Sequence, residues 1–67
     1  MDTVNKRCGE RIRHFREKQE MLQRELAEKS GLQEKTIGRI ERAEVDVRIG
    51  TLKKIAAALG ISIKDLF

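Results

Sequence analysis

Gln23-Arg-Glu-Leu-Ala-Glu-Lys-Ser-Gly-Leu-Gln-Glu-Lys-Thr-Ile-Gly-Arg-Ile-Glu-Arg42 reads as two short helices joined by a tight glycine turn. Leu26 and Ala27 supply the inward face of the first, predicted over Gln23–Ser30. Ile37 and Ile40, spaced i, i+3, supply that of the second, predicted over 34–42. Gly31 ends the first helix, because glycine enters the left-handed conformation of a helix C-terminus without a steric penalty. Leu32 and Gln33 complete the connection, with Leu32 in the elbow. Helices joined this way cross at roughly 90–120°, and the small Ala27 lets their axes approach. With the apolar residues turned inward, the polar face of the second helix is left pointing out.

Outward from this pair, Cys8, Ile12 and Phe15 recur at i, i+4, i+7, which predicts a helix over 4–19 with Arg, Lys and Glu on its other faces. Residues 44–48 are polar and acidic and read as a loop. A further helix, predicted over 50–59, buries Leu52, Ile55, Ala56 and Leu59 and stops at Gly60. Ser62 followed by Asp65 is a capping-box spacing that opens a last element carrying Ile63, Leu66 and Phe67. No segment alternates like a strand. The expected architecture is all-α: a compact five-helix bundle forming one domain over residues 1–67, with a helix-turn-helix at 23–42.

A chain of 67 residues buries only about 60% of its unfolded surface. Cys8 is the one cysteine and His14 the one histidine, which rules out a disulfide framework and argues against a Cys/His metal site. Cys8 reads as a small core hydrophobe and His14 as a surface residue. Fifteen Lys and Arg against eleven Asp and Glu leave a net charge of +4 and a pI near 9.6. That balance suits a polyanionic partner, though solvated helical surfaces often look similar. The longest apolar run, residues 55–59, is too short for a signal peptide or a membrane span. A cytoplasmic, nucleoid-associated protein with no membrane partner and no cofactor is expected. There is no nucleophile–base arrangement and no phosphate-cradling glycine loop, so an enzyme is the poorest of the readings.

The positions Gln23, Leu26, Ala27, Gly31, Ile37, Ile40, Glu41 and Arg42, in this register, resemble the signature of the phage-repressor (Cro/cI-type, Xre-like) helix-turn-helix family. The likeness extends to Arg16, where the family carries an arginine on helix 1. It continues through Leu52, Ile55, Ala56, Leu59, Gly60, Ile61, Ser62 and Leu66, which match the family's closing helices. It covers about residues 8–67 and implies a lambda-repressor-like DNA-binding domain. Four positions depart from the family pattern. Glu20 and Ala43 stand where glycine is common, and Leu22 and Gln33 stand where helices 2 and 3 are usually capped by Ser or Thr.

The resemblance implies that helix 3 is the recognition helix, with Gln33, Glu34, Lys35, Thr36 and Arg39 at the positions that reach bases. Their chemistry suits that task. Gln pairs with adenine, Lys and Arg with guanine, Thr with a thymine methyl and Glu with cytosine N4. The alternative for each is an ordinary solvent-exposed helix face; Lys35 and Arg39 could also hold phosphate instead of base, and Glu34 would exclude wrong sequences more than select a right one. Gly38 costs up to about 1 kcal/mol in a helix interior. It reads either as clearance for close approach to DNA or as drift on an exposed face. Gln23, at the positive end of helix 2, and Arg24 beside it are expected to contact phosphate. Arg42 and Arg48, flanking the following loop, are expected to do the same; the alternative for each is a solvated charge. The resemblance also implies a partly buried ion pair between Arg16 and Glu41.

The leading functional reading is a sequence-specific transcription regulator, a repressor or self-regulating controller. It would place two copies of helix 3 in successive major grooves of a near-palindromic operator on double-stranded DNA, roughly 34 Å apart. Ile61, Ile63, Leu66 and Phe67 offer an apolar patch for the homodimer, or else finish the monomer core. No small-molecule ligand is expected, since nothing remains in the chain to house an effector pocket. Proteins of this kind occur as phage repressors, restriction–modification controllers and antitoxins. The alternative is a protein-interaction module on the same fold, antitoxin-like, in which helix 3 docks onto a protein.

Overall fold

The computed structural model describes residues 3–67, with the element order α1 (Thr3–Lys18), α2 (Gln23–Ser30), α3 (Glu34–Glu41), α4 (Ile49–Leu59) and a single 3-10 turn, Ile63–Leu66. The first four elements match the apolar periodicity to within a residue or so at each end. The fifth differs from expectation: it is one 3-10 turn, so the architecture is four helices and a turn, not five helices. The capping box does form, with Lys64 N–H donating to Ser62 Oγ at 3.2 Å and Ser62 N–H donating to Asp65 Oδ2 at 3.0 Å. Asp65 N–H bonds back to the Ser62 carbonyl, three residues earlier. A single turn held at its start by a cap and at its end by the burial of Leu66 takes the tighter 3-10 spacing, which is used in short pieces.

One core serves the described residues. Cys8 and Ile12 of α1, Leu26 and Ala27 of α2, Ile37 and Ile40 of α3, Leu52, Ile55, Ala56 and Leu59 of α4, and Leu66 of the turn are all buried in it. Met21, between α1 and α2, joins them; Phe15, Leu32, Val47, Ile61 and Ile63 pack half-buried around the rim. A β-carbon built on Gly9 would lie 2.5 Å from the Ile40 carbonyl oxygen and 2.7 Å from that of Glu41. The backbones of α1 and α3 therefore cross closer than any side chain permits, and Gly9 is the residue that allows it.

The four helices end alike. Leu32 N–H donates to the Ala27 carbonyl at 2.9 Å, Ile61 to Ala56 at 3.0 Å, Met21 to Arg16 at 3.0 Å and Glu44 to Arg39 at 2.9 Å. Each is the six-to-one bond of a Schellman turn, which needs a left-handed residue just before the donor. Glycine fills that place at Gly31 (φ 74°) and Gly60 (φ 71°), whereas Glu20 and Ala43 adopt φ 58° with a β-carbon present. The starts of α2, α3 and α4 lack side-chain caps at Leu22, Gln33 and Arg48. At α2 the Glu25 carboxylate makes up part of the loss by accepting the Leu22 N–H at 2.7 Å.

Candidate nucleic-acid interface

Burial of Leu26 and Ala27 against Ile37 and Ile40 fixes α3 across α2 and decides which of its residues face out. Gln33, Glu34, Lys35 and Arg39 are exposed and Thr36 is half-buried. All five expected base-reading positions thus retain a surface on α3 or its N-cap. Ser30, not anticipated from the sequence, is buried at the end of α2, where its hydroxyl donates to the Leu26 carbonyl at 2.8 Å. That bond satisfies the one polar group the elbow encloses there.

Arg16 and Glu41 hold this pair of helices to α1. Arg16 Nε donates to Glu41 Oε2 at 2.7 Å and Nη2 to Oε1 at 3.0 Å, a fork-to-fork pair between side chains that are 10% and 3% exposed. Arg16 Nη1 donates to the Met21 carbonyl at 2.8 Å, so the guanidinium also closes the α1–α2 connection. The Glu41 hydrogen bond raises the Arg16 pKa above its ordinary value despite the lost hydration. The ion remains charged throughout the working pH range.

Gln23 belongs to the same network. Its amide Nε2 donates to Glu41 Oε1 at 3.0 Å, so one carboxylate joins α1, the start of α2 and the end of α3. Arg42 caps α3 and donates to Glu44 through Nε at 2.8 Å and Nη2 at 3.3 Å. That bond raises the Arg42 pKa and lowers that of Glu44. Both side chains are at least half exposed, which keeps the pair labile in water. Arg24 and Arg48 are exposed on α2 and at the N-cap of α4.

Two expectations require correction. Gly38 is buried, so it is neither an exposed neutral position nor a clearance left open to a partner. The Arg42 and Gln23 side chains lie over it. Leu66 is fully buried in the core of the single chain and has no surface to give a second copy. The terminal apolar patch reduces to Phe67, 46% exposed, with half-buried Ile61 and Ile63 at its edge.

Comparison with known proteins bears on the same stretch. The helix-turn-helix family profile matches residues 12–66. The chain belongs to this family. It is 37% identical over 59 residues to the HTH-type transcriptional regulator PuuR of Escherichia coli, covering 88% of this chain and 32% of that protein. The chain therefore spans about a third of the length of PuuR. It is 40% identical over 58 residues to the control protein C.SmaI of Serratia marcescens, covering 87% of this chain and 69% of the relative. The crystal structure of the restriction-modification controller protein C.AhdI from Aeromonas hydrophila superposes with a TM-score of 0.91 at 33% identity, covering 94% of this chain and 96% of that one. These relatives are regulators and controllers, not enzymes. Among the described residues no helix is long and apolar enough to cross a membrane.

Proposed function

We propose that this chain is a DNA-binding transcription regulator that reads duplex DNA in the major groove with α3. The observation carrying the proposal is the outward polar face from Gln33 to Arg39, held off the core by buried Ile37 and Ile40. Family membership and the likeness to controller proteins support it. In this reading Gln33, Glu34, Lys35, Thr36 and Arg39 face bases, while Gln23, Arg24, Arg42 and Arg48 face phosphates. Because Gln23 Nε2 is engaged by Glu41 through one hydrogen, its second amide hydrogen is the one offered to phosphate.

Sequence-specific control follows if two copies bind a near-palindromic site, with half-sites roughly 34 Å apart. Phe67, Ile61 and Ile63 form the apolar edge on which we place that contact. Regulation would then depend on the protein's own concentration.

An electrophoretic shift assay on mixed-sequence duplex across a salt series tests the reading. DNA binding predicts a steep fall in affinity with salt, as each phosphate contact adds about 0.9 to the log–log slope. Duplex affinity that is absent at low salt would favour a protein-interaction module instead.

A further inference from the structure

We propose that Gly38 is a positioning residue for the phosphate grip: its bare α-carbon seats the Arg42 guanidinium against α3 beside Gln23. A β-carbon built there would lie 3.1 Å from Arg42 Nη1, 3.7 Å from Nη2 and 3.5 Å from Gln23 Oε1. Two side chains from opposite ends of the helix pair therefore converge on one glycine. Each also meets a carboxylate. Glu41 fixes the Gln23 amide through Nε2, and Glu44 takes Arg42 Nε and Nη2, which leaves Nη1 as the nitrogen resting over Gly38. The seat explains why an eight-residue helix contains its poorest non-proline helix former.

This inference rests on the DNA-binding reading above, and it specifies how Arg42 contributes there. With Glu44 exchanged for a phosphate oxygen, Arg42 and Gln23 grip the duplex backbone from α3 and α2 together. A β-carbon at position 38 presses the guanidinium outward, since 3.1 Å from Nη1 is tighter than ordinary van der Waals contact. The displaced atom is the far end of a flexible side chain, so the shift is tolerated by the fold while the grip is weakened. Gly38→Ala thus separates two properties that a merely structural residue would change together.

The test measures thermal stability and affinity for mixed-sequence duplex across a salt series, using the full chain. Gly38→Ala is expected to hold or raise the melting temperature, since alanine is the better helix former. Its affinity is expected to fall about three- to ten-fold, because one charge-assisted bond is weakened but not deleted. The salt slope should decrease by a fraction of about 0.9, the value for loss of one whole phosphate contact. Arg42→Lys, which keeps the charge but has no planar fork, should lose affinity comparably, and adding Gly38→Ala to Arg42→Ala should change little further.

Unaltered affinity and slope in Gly38→Ala would overturn the proposal, as would an equal loss from Gly38→Ala with and without Arg42. Arg42→Lys at full affinity would do so as well. Should the unmodified protein bind no duplex, the DNA-binding reading fails and the seat is still read without DNA. The Arg42 Nε–H resonance in the NMR spectrum shifts in Gly38→Ala if the guanidinium rests on the glycine. It stays in place if it does not.

Discussion

Arg16 grips Glu41 through two parallel hydrogen bonds of 2.7 and 3.0 Å, and Glu41 Oε1 accepts from Gln23 as well. Helix α1 is thereby tied to both helices of the elbow through one nearly buried carboxylate. Breaking such a pair strands a charge in a poorly hydrated place, which costs far more than the intact pair contributes.

Arg16→Ala and Glu41→Ala are each expected to destabilise the fold by about 3–5 kcal/mol. Lys18→Ala and Glu28→Ala, exposed on the same helices as Arg16 and Gln23, should stay within about 0.5 kcal/mol of the parent. Urea denaturation of the four variants makes the comparison. Equal midpoints would show that the pair is not what fastens α1 to the elbow.

Glu20 and Ala43 close their helices with φ 58°. A left-handed residue carrying a β-carbon is disfavoured by roughly 1–2 kcal/mol. Glycine removes that strain but gives back about 0.4–1 kcal/mol through a more flexible unfolded chain. Glu20→Gly and Ala43→Gly should therefore each stabilise by about 0.5–1 kcal/mol, read from denaturation midpoints. A loss of stability in both would mean that the turns are held by side-chain contacts in place of backbone geometry.

Gly9 and Gly50 should respond to alanine with opposite signs. At Gly9 the new methyl meets two backbone carbonyls that cannot swing aside, and overpacking of this kind costs about 1–3 kcal/mol. At Gly50 nothing lies within 4 Å, and loss of unfolded-state freedom stabilises by about 0.4–1 kcal/mol. Thermal melts of Gly9→Ala and Gly50→Ala decide this. A Gly9→Ala melting temperature at or above the parent's would contradict the close α1–α3 crossing.

Arg39 and Arg48 are separated by the kind of loss each produces on DNA. Arg39→Ala should relax preference at one base position and cost about 1–3 kcal/mol there. Arg48→Ala should weaken every duplex alike and reduce the salt slope by about 0.9. Competition binding on singly altered duplexes distinguishes the two. A uniform loss from Arg39→Ala would reassign that residue to the backbone.

The elements whose geometry is local were readable in the chain. Gly31 and Gly60 announce left-handed helix ends, and the spacings of Leu26, Ala27, Ile37 and Ile40 announce the elbow. Matching family residues placed Glu41 opposite Arg16, which spacing alone cannot do across 25 positions. What stayed hidden depends on contacts between distant segments. Gly9 looks like an ordinary interior glycine until α3 lies across it, and Gly38 looks exposed until Arg42 folds back over it. Leu66 and Phe67 are neighbours of similar hydrophobicity, and only the turn they sit on sends one into the core and the other out.

Selection of bound sequences from a random pool of duplex DNA tests most directly whether the outward face of α3 reads a duplex. One enriched motif, with two inverted half-sites about one helical turn apart, is the predicted outcome, and Arg39→Ala should degrade a single position within each half. A pool that shows no enrichment, or that is not retained even at low ionic strength, would contradict the account.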